Sequence, residues 1–279
     1  MKALSPLRYP GGKGQMYDKI KHIIHANSLD QKTYVEPFAG GFAVGITLIR
    51  NNIVRKAIIN DIDFHIYAFW KAVFFKTEKF LEKIESTPIN MDEWHKQRSI
   101  YNKCNRKSIL DAAFATLFLN RTNFSGVLKA GPIGGQNQTG KYKMDCRFPK
   151  ERISKLIHDI SQYKERIEVY NMDANEFITN ILKPKQKDLF INFDPPYVKK
   201  GKALYTNFYD MNDHRKLKDC IVGNLNCDWI MTYDNNDFIK SIYKDFFIYE
   251  FNLGYSANIH KKGTELFVSS KKYKQKISA

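Results

Sequence analysis

The sequence predicts an α/β fold, in which a mostly parallel sheet is covered by helices on both faces and interrupted by a helical insertion. Three observations predict this fold class. Apolar runs typical of buried strands alternate with amphipathic helices over residues 1–76, the alternation stops over residues 77–164, and it resumes over residues 165–279. The 279 residues correspond to about two domains at roughly 150 residues each. We therefore expect one sheet domain, made of the two outer segments, and one inserted domain.

The first 76 residues contain two strand-like runs, each followed by a helical pattern. The predicted elements are a helix over 15–27, a strand over 33–38, a helix over 42–51, a strand over 56–62 and a helix over 63–76. Both strand runs are apolar without alternation, which is typical of strands buried on both faces. Because parallel strands need crossover connections, the intervening helix predicts parallel pairing.

The middle of the chain lacks this alternation. Helical patterns over 91–104 and 108–120 are followed by the stretch 126–148, which has five glycines and no hydrophobic period. Such a stretch predicts a long loop or an irregular hairpin, and loops of this length usually have a function.

The sheet pattern then returns. Strands are predicted over 167–172, 188–193, 229–233, 246–251 and 265–269. The last two have no helix between them, which predicts an antiparallel pair that closes the sheet. The basic tail 271–276 is expected to be frayed.

Composition narrows the class of protein. Lys and Arg number 45 against 29 Asp and Glu, and the resulting net charge of +16 points to a polyanionic partner, with nucleic acid as the first candidate. No run of about 18 apolar residues and no signal-peptide pattern is present, so we expect a soluble, cytoplasmic protein without membrane contact. The four cysteines form no Cys-x-x-Cys pair, so no metal site is predicted.

The strongest chemical signal is the motif Asp194-Pro195-Pro196-Tyr197, directly after a strand-like run. Ligands of open α/β sheets bind outside the carboxyl ends of strands. A carboxylate and a backbone carbonyl there can accept both protons of an aromatic NH2 group, while the Tyr197 ring lies beside the ring that carries it. A strand-ending turn with a surface tyrosine explains the same residues equally well.

Two glycine-rich segments and one acidic residue add to this signal. Residues 36–41 (EPFAGG) follow the first strand but lack the Gly-x-Gly-x-x-Gly fingerprint, so a nicotinamide or flavin site is not supported. Asp61 ends the second strand, where an acidic residue commonly binds ribose hydroxyls, although it is also a common turn residue or helix cap. Residues 9–14 (YPGGKG) lack the spacing of a phosphate-binding loop.

In this order, the motifs resemble the Dam-like class of DNA adenine-6-amino methyltransferases, which use S-adenosylmethionine. The resemblance includes residues 120–126 (NRTNFSG), similar to the family's Arg-x-Asn-Phe-Asn-Gly segment with Ser125 where Asn is usual. Tyr9 stands where Trp is common. The stretch 132–140 departs from GATC-specific members, which leaves the recognition sequence open. The resemblance implies a Rossmann-like methyltransferase sheet formed by residues 1–76 and 165–279, with residues 77–164 as the target-recognition domain.

The resemblance also implies roles for individual residues. The cofactor pocket would be lined by Tyr9, Pro10, Gly11, Gly12, Lys13, Glu36, Pro37, Phe38, Ala39, Gly40 and Gly41, with Asp61 on the ribose and Asp173 on the adenine amino group of the cofactor. Asp194, Pro195, Pro196 and Tyr197 would hold a flipped-out target adenine. The expected DNA contacts are Arg121, Asn123, Lys129, Lys141, Tyr142, Lys143 and Arg147.

The expected partners are double-stranded DNA and a restriction endonuclease counterpart, in a prokaryotic or phage-like setting. There are three alternatives to this interpretation. An RNA or protein amide methyltransferase uses the same acceptor geometry, but often has Asn before Pro-Pro-Tyr. A carbon-5 cytosine methyltransferase needs a Pro-Cys pair, which this sequence lacks. A non-catalytic DNA-binding module is disfavoured by the acidic residues Asp61 and Asp194.

Overall fold

The computed structural model describes residues 5–8, 16–198, 209–254 and 262–274. The described chain divides into two compact units. Unit 1 contains residues 16–62 and the described part of 170–279, and unit 2 contains residues 5–8 and 63–169. The division therefore falls at 62/63 and 169/170, rather than at the predicted 76/77 and 164/165. The helix after the second strand belongs to unit 2, because its apolar surface packs against other helices of that unit.

The sheet has seven strands in the order β3-β2-β1-β4-β5-β7-β6. The strands are β1 (Thr33–Glu36), β2 (Lys56–Asn60), β3 (Ile167–Tyr170), β4 (Leu189–Phe193), β5 (Asp228–Asp234), β6 (Phe247–Gly254) and β7 (Lys262–Ser269). β1 is parallel to β2 and β4, and β4 is parallel to β5. β7 is antiparallel to both β5 and β6. The prediction of a mostly parallel α/β sheet closed by an antiparallel pair is confirmed.

Ten α-helices are found in the described part of the chain. They are α1 (Tyr17–Ala26), α2 (Ala43–Arg50), α3 (Phe64–Phe75), α4 (Thr77–Ser86), α5 (Met91–Lys103), α6 (Ile109–Thr122), α7 (Lys150–Ser161), α8 (Ala174–Phe177), α9 (Met211–Asn224) and α10 (Asp237–Ile242). In unit 1, every residue of β1 and β4 is buried, as expected for central parallel strands. None of the helices that the structure describes is both long and apolar enough to cross a bilayer.

Unit 2 is built around α6, which is buried on almost every side. α3 packs along it, and Thr116 Oγ1 donates to the carbonyl of His65 over 3.3 Å. The side chain of Asp63 accepts the backbone N–H of His65, and this cap explains why α3 begins at Phe64. After α6, residues 123–149 form an irregular loop with two short 3₁₀ turns and a single bridge between Asn123 and Pro132.

The basic tail is ordered as far as it is described. Tyr273 is buried, and its hydroxyl donates to Asp228 Oδ1 over 3.1 Å. The backbone N–H of Lys274 donates to Asn27 Oδ1 over 3.0 Å. The expectation of a frayed tail is therefore wrong for residues 271–274, because an aromatic side chain within the basic run packs onto the sheet.

Candidate active site

The carboxyl ends of the parallel strands bring two of the predicted motifs into contact. After β1 the chain turns sharply, and Gly40 adopts a left-handed φ of 44° that favours glycine. The backbone N–H of Gly40 donates to Asp61 Oδ2, the residue after β2, over 2.9 Å. Residues that lie 21 positions apart in sequence are therefore in direct contact at the carboxyl ends of β1 and β2.

A single amide side chain holds the neighbouring loops together. Asn60 is 1% exposed, and its Nδ2 donates to the carbonyls of Pro37 and Met172 over 3.1 and 3.0 Å. Its Oδ1 accepts the backbone N–H of Met172 over 2.9 Å. Asn60 thus joins the loop after β1 to the loop after β3, and this connection brings the predicted cofactor residues Phe38 and Asp173 to the same edge as Asp61.

An aromatic residue that the sequence analysis missed lies at this edge. The rings of Tyr209 and Phe38 meet edge to face, with centroids 6.0 Å apart. Burial raises the pKa of Tyr209, and the nearby carboxylates of Asp173, Asp213 and Asp61 raise it further, so its hydroxyl stays protonated. The available signal was an aromatic residue just before the helix that follows Asp194-Pro195-Pro196-Tyr197.

The Asp-Pro-Pro-Tyr motif follows β4, as predicted. Thr232 Oγ1 on the adjacent strand β5 donates to Asp194 Oδ1 over 3.3 Å. Beyond the motif, the backbone N–H of Val198 donates to Asp234 Oδ1 over 3.1 Å, which ties the turn to the end of β5. Tyr197 is only 7% exposed, so the alternative of a turn with a surface tyrosine is wrong.

Beneath these loops, three buried polar side chains form a hydrogen-bonded chain, which we call the Tyr34 network (Asn192, Tyr34 and Glu36). Asn192 Nδ2 donates to the Tyr34 hydroxyl over 2.9 Å, and this hydroxyl donates to Glu36 Oε1 over 2.9 Å. Burial raises the pKa of Tyr34 well above its ordinary value, and the Glu36 carboxylate raises it further. The hydroxyl therefore stays protonated at neutral pH.

In unit 2, two of the residues expected to contact DNA have other partners. Asn123 is 0% exposed, accepts Trp94 Nε1 at 2.8 Å, and donates to the carbonyls of Val127 and Leu128. It stabilises the loop from inside and does not lie on the surface, which corrects the expectation for this residue. The guanidinium of Arg121 donates to the carbonyl of Pro6, and burial lowers its pKa to about 10.

The other expected DNA contacts lie on the surface. Lys129, Lys141, Tyr142, Lys143 and Arg147 are all exposed. Tyr142 is 63% exposed, and Phe124, which the sequence analysis did not single out, is 69% exposed. The left-handed backbone of Ser125, with φ 55°, follows Phe124 directly. The sequence signal that could have indicated Phe124 was an aromatic side chain at the start of a basic loop.

The loop that carries these side chains is held by α5. Arg98 Nη1 donates to the carbonyl of Leu128 over 2.8 Å, and Arg98 Nη2 donates to the carbonyl of Ala130. The same guanidinium lies 4.8 Å from the ring centre of Trp94, whose indole N–H binds Asn123. A cation and an indole from one helix thus fix the shape of the loop.

The remaining expectations concern the N-terminus and metals. Tyr9, Pro10, Gly11, Gly12 and Lys13 lie outside the described residues. Across 5–8, 16–198, 209–254 and 262–274, no group of three or more His, Cys, Asp or Glu side chains is arranged to hold a metal ion.

A doubly wound sheet with carboxylates and aromatic rings at the carboxyl ends of its strands is typical of enzymes that bind nucleotide-like cofactors. The chain belongs to the D12 class N6 adenine-specific DNA methyltransferase family, whose model matches residues 9–257. It is therefore an adenine-specific DNA methyltransferase, its methyl donor is S-adenosylmethionine and its substrate is DNA. The RNA, protein amide and non-catalytic alternatives are not favoured.

Two relatives are similar over most of the chain. The Type II methyltransferase M.MjaIII of Methanocaldococcus jannaschii is 26% identical over 76% of this chain and 76% of its own length. The Type II methyltransferase M.CviBI of Paramecium bursaria Chlorella virus NC1A is 22% identical over 91% of this chain and 92% of its own length.

Two solved structures are also similar. The rRNA methyltransferase aviRa from Streptomyces viridochromogenes has a TM-score of 0.40 and 11% identity, covering 92% of this chain and 83% of its own. The methyltransferase domain of bacterial CtHen1-CN has a TM-score of 0.40 and 7% identity, covering 91% and 97%.

Proposed function

We propose that unit 1 performs the transfer, with Asp194 and the Pro195 carbonyl accepting the amino protons of the target adenine. The observation that carries this proposal is the hydrogen bond from Thr232 to Asp194 at the carboxyl end of β4. β4 lies beside β1, whose following loop binds Asp61 through Gly40. The acceptor carboxylate and the cofactor residues therefore belong to adjacent strands of one sheet.

The described residues fit S-adenosylmethionine. We propose that Asp61 binds the ribose hydroxyls, that Asp173 accepts from the adenine amino group, and that Phe38 and Tyr209 pack against the cofactor. Carboxylate oxygens accept hydrogen bonds, which suits the ribose hydroxyls and the amino group of the cofactor. One side-chain oxygen of Asp173 also accepts the backbone N–H of Asn175, which fixes its orientation at the start of α8.

The cofactor supplies a methyl group activated by its positive sulfur. The 6-amino nitrogen of adenine is a weak nucleophile, because its lone pair is delocalised into the ring. Hydrogen bonds to Asp194 and the Pro195 carbonyl would orient that lone pair and stabilise the positive charge that develops on the nitrogen as the carbon–nitrogen bond forms. The base cannot be reached inside a duplex, so we propose that it is flipped out and stacks on Tyr197, beside Pro196.

We propose that unit 2 recognises duplex DNA at a specific sequence. The exposed cations Lys129, Lys141, Lys143 and Arg147 would contact phosphates, which fits the net charge of +16. The exposed rings of Phe124 and Tyr142 would contact the base stack, since an aromatic ring gains from leaving water on binding. Arg121 would act from behind this surface by holding the chain at Pro6.

The names of the two relatives support one more part of the proposal. Both are called Type II methyltransferases. We propose that this enzyme likewise protects DNA from a restriction endonuclease of the same sequence specificity, inside a prokaryotic or virus-infected cell. Resistance of modified DNA to digestion by an endonuclease encoded next to this gene would test this part.

The central test is methyl transfer from labelled S-adenosylmethionine to mixed-sequence duplex DNA, followed by sequencing that reports the modified base. We expect N6-methyladenine in one sequence context. Asp194→Ala should abolish the product while cofactor binding persists. The control is Asp219→Ala, an exposed carboxylate on α9 that contacts Lys218. Turnover by Asp194→Ala, or a methyl group on a ring carbon, would contradict the proposal.

A further inference from the structure

The Tyr34 network is a buried polar feature of unit 1 that the proposed chemistry does not yet use. All three members are buried, and they lie in the central strands β1 and β4. Tyr34 and Glu36 are two residues apart on β1, so their side chains point to the same face of the sheet. Asn192 reaches them from β4, two residues before Asp194.

The chemistry of the three groups sets the direction of both hydrogen bonds. The Asn192 Nδ2 group can only donate, so the Tyr34 hydroxyl accepts from it. The single hydroxyl proton is then directed at Glu36 Oε1. Each bond leaves the next donor more polarised toward the carboxylate. Tyr34 therefore fixes the position of one oxygen of Glu36 at the end of β1.

Stability alone does not explain a buried network of this kind. A buried carboxylate is stable only when hydrogen-bonded, and apolar side chains of similar volume often replace buried ionic groups without loss of stability. The side chain beside Tyr34 on the same face is apolar, since the buried ring of Phe190 lies 6.2 Å from the Tyr34 ring between centroids. A polar network in such surroundings is best explained by a requirement for the carboxylate at the end of β1.

We propose that Tyr34, oriented by Asn192, is a positioning residue that holds the Glu36 carboxylate in place for the cationic part of S-adenosylmethionine. This inference rests on the proposed function and adds to it Glu36, for which the family resemblance implies a place in the cofactor pocket. Tyr34 acts only through Glu36 and contacts neither the cofactor nor the DNA. Removal of the Tyr34 hydroxyl should therefore lower the affinity for the cofactor and leave the affinity for DNA unchanged.

The first test is Tyr34→Phe, which removes one oxygen atom and keeps the ring. Calorimetric titration with S-adenosylmethionine, without DNA, should show about 10-fold weaker binding, the loss expected for a hydrogen bond to a charged group. Asn192→Ala should weaken binding in the same direction. Unchanged cofactor affinity in Tyr34→Phe overturns the inference. If the wild-type protein itself fails to bind the cofactor, the proposed function fails instead.

The matched control is Tyr273→Phe. Tyr273 is also buried, and its hydroxyl also binds a carboxylate, Asp228, but at the first residue of β5 and thus at the opposite end of the sheet. We expect Tyr273→Phe to lower the unfolding midpoint as Tyr34→Phe does while leaving cofactor affinity intact. An equal loss of affinity in both variants would assign the effect to general destabilisation and overturn the inference.

A double-mutant cycle separates positioning from simple packing. In the Glu36→Gln background, Tyr34→Phe should change cofactor affinity by less than about 2-fold, because two residues that act as a unit are non-additive. A change as large as in the wild-type background would mean that Tyr34 acts independently of Glu36, and would overturn the inference.

Discussion

Replacing Thr232 by valine removes the hydroxyl that donates to Asp194 and leaves the volume of the side chain almost unchanged. The distance from Oγ1 to Asp194 Oδ1 is 3.3 Å, longer than the usual 2.7–2.8 Å of an O–H···O bond, so we assign it about 1 kcal/mol, within the ordinary range for a hydrogen bond. If the full amount is lost from the transition state, the rate of methyl transfer falls about 5-fold. The dissociation constants of cofactor and DNA should not change, because Thr232 contacts neither in the proposed mechanism.

The assay is single-turnover methyl transfer with saturating enzyme and labelled cofactor, which isolates the chemical step from product release. Thr232→Ser keeps the hydroxyl and should recover most of the rate. Thr179→Val is the control, since that hydroxyl donates to a carbonyl of its own helical segment over 2.7 Å. A wild-type rate in Thr232→Val, or an equal loss in Thr232→Ser, would refute a role for this hydroxyl in orienting Asp194.

The remaining predictions concern the cofactor, the DNA and acid stability. Tyr209→Ala should lower the affinity for S-adenosylmethionine about 10-fold in calorimetric titration, because a packed ring is lost. Tyr209→Phe keeps the ring and should bind the cofactor normally. Normal binding by both variants would contradict a role for Tyr209 in the cofactor site. Arg98→Lys keeps the charge but loses the two-carbonyl contact, so DNA affinity by anisotropy should fall about 10-fold with cofactor affinity unchanged, and an unaltered DNA affinity would contradict this role. Burial acts to raise the pKa of Asp228, but hydrogen bonds from Lys271 and Lys32 outweigh it and hold this pKa below its ordinary value. The stabilisation from this carboxylate is therefore fully present above the pKa of the unfolded state and is lost as the pH falls through the lower pKa of the folded state. In urea denaturation, Asp228→Asn should have a lower free energy of unfolding than the wild type at neutral pH, and this difference should vanish in acid.

The ends of the strands were the most predictable part of the site. Asp61 and Asp194 each follow an uninterrupted apolar run, and the rule that ligands bind at the carboxyl ends of parallel strands places both at one edge of the sheet. Their predicted chemical roles stay predictions until the variants are measured. The parallel pairing and the antiparallel closure were also predictable, because they follow from the alternation of helices and strands and from its failure at the end of the chain, whereas the strand order was not predicted.

Contacts distant in sequence could not be predicted. Asn123 stands in an apparent DNA-binding motif, yet its carboxamide is used by Trp94, 29 residues earlier in the chain. Tyr209 meets Phe38 across more than 160 positions, and no local pattern reports such a pair. The helix α3 follows a strand of unit 1 but packs in unit 2, because its buried surface extends around almost the whole helix.

The contacts between α5 and the loop after α6 have a consequence for attempts to exchange target-sequence specificity among related enzymes. Trp94 and Arg98 shape residues 123–130, although neither belongs to that stretch. A chimaera that receives only the loop would lack the Trp94 indole and the Arg98 guanidinium that define the conformation of the loop. The smallest transplantable module is therefore the helix together with the loop, and chimaeras should be joined before Met91.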